Sequence, residues 1–276
     1  MSLTRLRQLI SEKKAPIAVG LDPMESVLPP SLLAEPDRAA AVLRFCEEII
    51  DSVAKLVPAV KPQSAYFEQL GPVGQAVQYA VCRYAQSKGL YVILDAKRGD
   101  IGTTAEAYAE AFLGSEYFAD SITVNPYLGT DGITPFVKLA KESDKSVFAL
   151  VKTSNASSSE LQDLITDGGT PVYMKLAERL ATSYPADTLG FVAGATQASQ
   201  LRELRAKFPE TFFLIPGYGA QGGTASDIAL AKDANGGGYI VNSSRGIIGA
   251  WKKAGTPENY GKAAREAVLA MKRDLA

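Results

Sequence analysis

The sequence predicts a single (β/α)8 barrel domain that spans residues 1–276. The chain contains eight apolar strand-like runs, segments with helical spacing lie between them, and its length is close to the roughly 250 residues typical of such barrels. The runs cover residues 16–22, 56–62, 90–97, 121–126, 146–152, 188–196, 211–217 and 237–244. Because they are almost continuously apolar, they are typical of parallel strands covered by helices.

The helical segments between the runs include residues 36–56 and residues 71–89, the second closed by Gly89 as a C-terminal cap. A doubly wound open sheet is the alternative fold, but the letters GLDPMES follow the first run, where that fold has a glycine-rich fingerprint. The low-complexity patch TSNASSSE at 153–160 is expected to be a mobile loop rather than a linker.

Composition excludes several classes of function. Lys and Arg total 29 and Asp and Glu total 30, without a basic or acidic tract, so neither nucleic acid nor an anionic membrane is the expected partner. No apolar run approaches the roughly 20 residues of a membrane helix, and the amphipathic N-terminus lacks the long apolar segment of a secretory signal. The two cysteines, Cys46 and Cys82, lie in predicted helices, which suits a reducing cytoplasm.

The chain contains no histidine, the commonest general base and the commonest metal ligand. Catalysis must therefore depend on carboxylates, lysines, tyrosines or backbone dipoles. Cys82 is a possible nucleophile, but no activating base lies near it in the sequence.

Polar or loop-forming residues follow most of the predicted strands. In this fold the carboxyl ends of the strands carry the active site, so residues at these ends are expected to converge on one rim. Each of them taken alone could be an ordinary solvated strand end. The residues in question are Asp22, Lys61, Asp95, Lys97, Asn125, Ser154, Pro216 and Arg245.

The letters LDAKRGDIGTT at 94–104 place four charges directly after the apolar run LYVI. Two residues apart on a strand, Asp95 and Lys97 point to the same face, and we expect both at the inner mouth of the barrel. Arg98 is expected to point outward. Asp100 precedes the predicted helix 103–114, which begins with threonine. A structural ion pair is the alternative interpretation of Asp95 and Lys97.

Two further segments indicate a phosphate site. The glycine-rich letters PGYGAQGGTASD at 216–227 follow the seventh strand, and Arg245 follows the eighth. Barrels commonly hold a phosphate in these two loops, and arginine is a permanently charged, bidentate donor. An ordinary turn with a surface arginine is the alternative.

These motifs together resemble the orotidine 5'-phosphate decarboxylase family. The pattern Asp-x-Lys-x-x-Asp-Ile-x-x-Thr is present as Asp95, Lys97, Asp100, Ile101 and Thr104. The letters VGLDP, VKPQSAYFE, PGYGAQGG and SSRGI agree at strands one, two, seven and eight, and KPQSAYFE with KTSN is similar to the longer bacterial branch. The resemblance covers essentially the whole chain.

The resemblance implies a cofactor-independent decarboxylase, free of metal, that acts as a cytoplasmic homodimer on a nucleotide monophosphate. Lys97 would donate a proton to the ring carbon, Asp95 would face the substrate carboxylate, and Lys61 would pair with Asp95 and the ribose. Asp100, Ile101 and Thr104 would reach the partner subunit's substrate. The remaining contacts would come from Asp22 to the ribose, Ser154 to the pyrimidine, Pro216 to the site wall, and Gln221 and Arg245 to the phosphate.

Some features depart from the family pattern or leave a choice open. Ser244 replaces a glycine of shorter members, and the ring contact could come from Thr153, Ser154 or Asn155. Related decarboxylases and aldolases that use Mg2+ share the motif, but commonly add a histidine and an acidic ligand. A non-catalytic phosphosugar-binding barrel would have no use for Asp95, Lys97 and Asp100. We also expect Lys97 to stay an ammonium although buried, because neighbouring carboxylates favour its charge.

Overall fold

The computed structural model describes residues 2–114, 119–219 and 222–276. Within these residues, eight parallel strands close into one barrel in sequence order. They are β1 Ile17–Leu21, β2 Ala59–Pro62, β3 Tyr91–Arg98, β4 Ser121–Val124, β5 Ser146–Lys152, β6 Leu189–Ala193, β7 Phe213–Ile215 and β8 Tyr239–Ser243. Each strand overlaps the run predicted for it, so the (β/α)8 fold is confirmed.

Helices surround the barrel and occupy its loops. The α-helices are α1 Ser2–Lys13, α2 Pro30–Leu33, α3 Arg38–Val53, α4 Ser64–Glu68, α5 Pro72–Ser87, α6 Gly102–Leu113, α7 Thr134–Glu142, α8 Ser159–Gln162, α9 Val172–Ser183, α10 Ala198–Lys207, α11 Ala225–Ala229, α12 Arg245–Ile248, α13 Trp251–Ala254 and α14 Tyr260–Asp274. Short 3-10 turns cover Glu25–Val27, Pro126–Leu128, Thr130–Gly132, Ala156–Ser158 and Pro257–Asn259. The predicted helices at 36–56 and 71–89 are α3 and α5, and Gly89 follows α5 with a φ of +78°, as a C-terminal cap requires.

Two apolar layers hold the barrel together. The larger layer lies between the strands and the helices, where β-branched and aliphatic side chains such as Val19, Val60 and Val92 pack outward. The smaller layer fills the barrel interior, with Tyr91 and Phe148 among its largest members. The interior is therefore a packed core below the rim, as expected for this fold.

Helix α1 closes the amino end of the barrel. Its Leu3 and Leu6 are buried in the interior layer. Its Arg5 forms an ion pair of 2.6 Å with Asp120, which directly precedes β4. The apolar face that the sequence shows at the N-terminus is thus the face that seals this end.

The patch at 153–160 contains helical structure that its composition does not predict. It includes a 3-10 turn at Ala156–Ser158 and the start of α8. Lys152, fully buried at the end of β5, lies 2.8 Å from the Asp163 carboxylate and donates to the hydroxyl of Ser158 at 3.2 Å. This buried ammonium therefore ties Ser158 and the residue Asp163 beyond the segment to the end of β5.

Both cysteines lie in helices, as predicted, and neither forms a disulfide. Burial raises the pKa of the Cys82 thiol to about 12, so Cys82 stays protonated at neutral pH and is unsuited to nucleophilic attack. Within the described ranges, no helix is long and apolar enough to cross a membrane.

Candidate active site

A cavity of about 1080 Å³ opens at the carboxyl ends of the strands. Its floor is apolar and includes Leu150, Val192 and Leu214. Its polar lining comes from the strand ends and the loops that follow them, which is where this fold places active sites. Among the predicted residues, those that line it are Asp22, Lys61, Asp95, Lys97, Asn125, Ser154, Pro216 and Arg245.

Strand periodicity explains how Lys61 and Asp95 reach this cavity. Every second residue of a strand faces the same side. On β3, Tyr91 and Ile93 belong to the interior layer, and Asp95 comes two residues later. On β2, Ala59 belongs to that layer and Lys61 follows in the same way. The two charges are therefore inward-facing residues near the carboxyl ends of neighbouring strands.

Asp95 is the centre of a polar cluster at the inner mouth. Its Oδ2 accepts hydrogen bonds from Lys61 Nζ at 2.5 Å and from Gln63 Nε2 at 3.0 Å. Its Oδ1 accepts from Lys97 Nζ at 2.5 Å and from Thr123 Oγ1 at 3.0 Å. Each carboxylate oxygen thus receives one ammonium and one neutral donor, which fixes the orientation of the carboxylate.

The charge states of Lys61 and Asp95 support each other. Burial opposes ionisation of Asp95, but the charges of Lys61 and Lys97 and their hydrogen bonds outweigh it and hold the pKa of Asp95 well below its usual range. Burial likewise favours neutral Lys61, yet the negative charges of Asp95 and Asp22 raise the pKa of Lys61 above its usual value. At neutral pH both groups are therefore ionised inside the barrel.

Lys97 differs from expectation in two respects. Its side chain is 46% exposed rather than buried, because it extends into the open cavity. Its backbone has a φ of +48°, which is left-handed and costs a residue with a Cβ on the order of 1–3 kcal/mol. Regular strand alternation is therefore not what brings Lys97 onto Asp95.

An irregularity in β3 accounts for the backbone of Lys97. Leu94 pairs with Ile122 and Arg98 with Val124, so β3 advances four residues where β4 advances two. The extra residues form a bulge that redirects the side chain of Lys97 towards the cavity. Arg98 contacts the Glu68 carboxylate on α4 and lies over the rings of Tyr108 and Phe112, so it points outward as predicted.

Two unpartnered oxygens line the cavity at the ends of β1 and β8. Oδ1 of Asp22 and Oδ1 of Asn242 are buried, and neither has a hydrogen-bond partner among the described residues. A buried acceptor without a partner carries a desolvation cost, which a ligand hydroxyl or amide would remove.

Arg245, the first residue of α12, also lines the cavity, close to the end of β8. Its side chain is exposed and forms no ion pair with any described residue, so the guanidinium is free to bind an anion. Pro216, after β7, also lines the cavity, whereas Gln221 lies outside the described residues.

Ser244 directs its side chain towards β1. A Cβ at Gly20 would lie 1.8 Å from the Ser244 hydroxyl, so glycine at position 20 makes room for it. The hydroxyl also accepts a weak hydrogen bond from Asn242 at 3.4 Å. The serine that departs from the shorter relatives is therefore accommodated by the first strand.

Comparison with known proteins agrees with this geometry. The model of a family described as "Orotidine 5'-phosphate decarboxylase / HUMPS family" matches residues 15–260. The chain belongs to the orotidine 5'-phosphate decarboxylase / HUMPS family. This confirms the resemblance carried by the motif from Asp95 to Thr104 and identifies the chain as an enzyme of the carboxy-lyase type.

Sequence matches to individual members of the family cover nearly the whole chain. The orotidine 5'-phosphate decarboxylase of Rhodopirellula baltica is 44% identical, over 99% of this chain and 98% of its own. That of Clostridium novyi is 38% identical, over 95% and 94%. The structure of Leishmania donovani OMP decarboxylase has a TM-score of 0.78 at 33% identity, and the match covers 97% of this chain and 98% of the other.

Three predicted residues of the decarboxylase motif do not line the cavity of their own chain. Asp100, Ile101 and Thr104 lie in the loop after β3 and the first turns of α6. The Asp100 carboxylate accepts a hydrogen bond from the Ile101 backbone at 2.8 Å, and both Ile101 and Thr104 are exposed. A single subunit therefore assembles Lys61, Asp95 and Lys97 without Asp100.

Of the three candidates for the pyrimidine contact, Ser154 is the least engaged. Thr153 Oγ1 donates to Asn155 Oδ1 at 2.6 Å and accepts from Gln162 Nε2 at 2.7 Å. No hydrogen bond of the Ser154 hydroxyl is found among the described residues, although Ser154 lines the cavity. This favours Ser154, which the sequence could not distinguish from its neighbours.

Sequence reasoning missed Gln63, Thr123 and Asn242. Gln63 and Thr123 contact the central carboxylate, and Asn242 lines the cavity. Gln63 lies two residues after Lys61, and Asn242 two residues after the inward-facing Ile240, so the period of 2 could have identified both. The same period places Thr123 inward, between the outward-facing Ile122 and Val124, but its residue type does not indicate a contact with Asp95.

Proposed function

We propose that this protein decarboxylates orotidine 5'-phosphate to uridine 5'-phosphate and CO2, as a step of pyrimidine biosynthesis, without metal or organic cofactor. The observation that carries the proposal is the cluster in which Asp95 contacts Lys61 and Lys97 at 2.5 Å each, at the wall of a cavity that also exposes an unpaired arginine. A lone structural ion pair would need neither the second lysine nor the cavity.

Lys97 has the position and charge of a proton donor. Loss of CO2 leaves the bonding electron pair on the ring carbon, and the Lys97 ammonium compensates for that charge and then donates its proton to the carbon. The neutral amine recovers a proton from solvent before the next turnover. Because Lys97 Nζ rests on Asp95 and its side chain is half exposed to the cavity, the ammonium faces the space a substrate would occupy.

Asp95 would act on the substrate carboxylate. With its pKa held well below the usual range, Asp95 remains negative beside a second carboxylate. The repulsion raises the energy of the bound substrate and decreases as that carboxylate becomes neutral CO2. Lys61 keeps Asp95 ionised, and it is also placed to contact the ribose.

The remaining substrate contacts follow from the free groups of the cavity. The unpartnered oxygen of Asp22 would accept from the ribose hydroxyls, and Ser154 would bind the pyrimidine ring. Arg245 would hold the phosphate together with Gln221, and Pro216 would line the site. Binding energy from the remote phosphate can then favour closure of the glycine-rich loop over the reacting ring.

We further propose that the active unit is a homodimer in which Asp100 enters the partner subunit's site. Asp100 does not line its own cavity, and its loop lies against the segment 128–132, where a Cβ at Gly132 would be 2.8 Å from the Asp100 carbonyl. Ile101, Tyr127 and Leu128, in or beside this loop, are about half or more exposed. An exposed apolar surface at the rim is suited to a second copy of the chain.

The reaction would take place in the cytoplasm, in keeping with two cysteines that form no disulfide. The partner of the protein would be its nucleotide substrate, with no role for nucleic acid or membrane, in keeping with a net charge of -1.

One assay separates this function from its rivals. The purified protein is mixed with orotidine 5'-phosphate in the presence of EDTA, and loss of the orotate absorbance is followed. Loss of absorbance with EDTA present supports the proposal. Turnover that EDTA abolishes would indicate the Mg2+-dependent chemistry of related barrels, and nucleotide binding without turnover would indicate a non-catalytic binding protein.

A further inference from the structure

Thr123 connects the backbone of Lys97 to the carboxylate of Asp95. Its hydroxyl accepts a hydrogen bond from the Lys97 backbone N–H at 2.9 Å and donates to Asp95 Oδ1 at 3.0 Å. The same Oδ1 accepts from Lys97 Nζ at 2.5 Å. Three hydrogen bonds therefore close a ring from the backbone of Lys97, through Thr123 and Asp95, to the Lys97 ammonium.

We propose that Thr123 is a positioning residue for the proton donor, an inference that rests on the proposed decarboxylation. The Lys97 N–H occupies a lone pair of the hydroxyl, so the single hydroxyl proton is directed at Asp95. Thr123 thereby fixes two things at once: the left-handed backbone of Lys97 and the rotation of the Asp95 carboxylate.

The bulge in β3 makes such a support necessary. Between its paired residues Leu94 and Arg98, β3 advances four residues while β4 advances two. In this bulge the backbone N–H of Lys97 donates to the Thr123 side chain and not to the backbone of β4. The φ of +48° at Lys97 is unfavourable for a residue with a Cβ and persists only where the surroundings hold it. Thr123 is 1% exposed, so water does not substitute for its hydroxyl.

A set of substitutions separates the hydroxyl of Thr123 from its shape. Thr123→Val keeps the β-branched shape and removes both hydrogen bonds, whereas Thr123→Ser keeps the hydroxyl and loses a methyl group. Thr188→Val is the matched control, because Thr188 is also a buried threonine, 3% exposed, but it directly precedes β6 at the amino end of the barrel.

We expect Thr123→Val to lower kcat on the order of 100-fold, with KM and the affinity for uridine 5'-phosphate unchanged, because misplacement of a catalytic group affects the chemical step. Thr123→Ser and Thr188→Val should retain turnover close to that of the original protein. If Thr123→Val does not fold, as thermal unfolding would show, Thr123→Ala takes its place, with the same loss expected. Undiminished turnover in the variant without the hydroxyl, or an equal loss in Thr123→Ser, would overturn the proposal.

A crystal structure of Thr123→Val, or of Thr123→Ala in its place, gives a readout independent of activity. Lys97 should leave the left-handed region and its ammonium should move off Asp95. Retention of both features would refute the role of Thr123 even if turnover fell. If the unsubstituted protein does not consume orotidine 5'-phosphate, the proposed function fails, and this structural comparison still decides whether Thr123 positions Lys97.

Discussion

Lys61 and Asp95 form an ion pair of 2.5 Å in which both side chains are no more than one tenth exposed. Removing one member of such a pair leaves a buried charge with too few partners, at a cost of about 3–5 kcal/mol. Because Lys97, Gln63 and Thr123 still contact Asp95, we expect Lys61→Met to lower the free energy of unfolding by roughly 3 kcal/mol. Urea unfolding of both proteins at pH 7 measures this difference in the free energy of unfolding. The double variant Lys61→Met/Asp95→Asn is the control and should recover part of the loss; equal stability of Lys61→Met and the original protein would contradict the prediction.

The depressed pKa of Asp95 gives the stability a defined pH dependence. In the unfolded chain this carboxyl titrates near pH 3.9, and in the folded protein its pKa is lower. The contribution of ionised Asp95 to the free energy of unfolding is therefore present above about pH 4. It is lost as the pH falls through that value towards the folded pKa. The free energy of unfolding should decrease more steeply between about pH 5 and pH 2.5 in the original protein than in Asp95→Asn. Parallel curves for the two proteins would show that Asp95 is not held ionised by folding.

Replacing Lys97, the proposed proton donor, should affect turnover far more than binding. Lys97→Ala removes an interaction made mainly in the transition state, so kcat and kcat/KM should fall together while affinity for uridine 5'-phosphate persists. Arg98→Ala is the matched control, because it removes a neighbouring cation that contacts Glu68 outside the barrel. Steady-state kinetics and calorimetric titration test this. Normal turnover by Lys97→Ala would exclude Lys97 as the donor.

Loss of the proposed phosphate contact of Arg245 should follow a different pattern. Arg245→Ala removes binding energy remote from the reacting ring, so KM should rise, and kcat/KM should fall about a hundredfold, equivalent to about 3 kcal/mol. Lys252→Ala removes an exposed cation seven residues later that does not line the cavity, and it should behave like the original protein. Activity on orotidine without its phosphate provides a second measurement. If the nucleoside already reacts as well as the nucleotide, Arg245 does not bind a phosphate.

Subunit exchange tests whether Asp100 completes a partner's site. Homodimers of Lys97→Ala and of Asp100→Ala should each be almost inactive. In a hybrid dimer one site carries both lesions and the other carries neither, because intact Lys97 meets intact Asp100 across the two-fold interface. With half the dimers hybrid, roughly a quarter of the original activity should return.

Exchange is verified separately by tagging one chain and recovering mixed dimers. Verified exchange without recovery of activity would place Asp100 outside the shared site. It would also remove the principal reason to regard the active enzyme as a dimer.

Most of the fold could be predicted because the strands of a barrel are easily recognised in the sequence. Each is buried on both faces and therefore reads as an apolar run, and the run at 146–152 coincides with β5 residue for residue. The placement of Asp95 and Lys97 at the inner mouth of the barrel was also predictable, because this fold gathers its functional side chains at the carboxyl ends of the strands. Their geometry was not, because the bulge depends on the register between β3 and β4, which the letters of β3 alone do not contain.

Other parts of the site depend on relations that are remote in the chain. Thr123 in the letters SITV resembles any β-branched strand residue, and its role becomes visible only when β4 lies beside β3. The helical turns at 153–160 have no periodic pattern and are organised by Lys152 and Asp163 from either side. The surroundings of Asp100 cannot be predicted from the strand and helix pattern of one chain, because its proposed site belongs to a second subunit.

The closure of the barrel by α1 has a consequence for the order of events in each turnover. With Leu3 and Leu6 sealing the amino end, the cavity opens at the carboxyl rim. On the proposed mechanism, substrate, CO2, product nucleotide and the proton that restores Lys97 would all pass through this rim. A nucleotide bound there would stand between solvent and Lys97, so reprotonation of the amine would follow departure of the product.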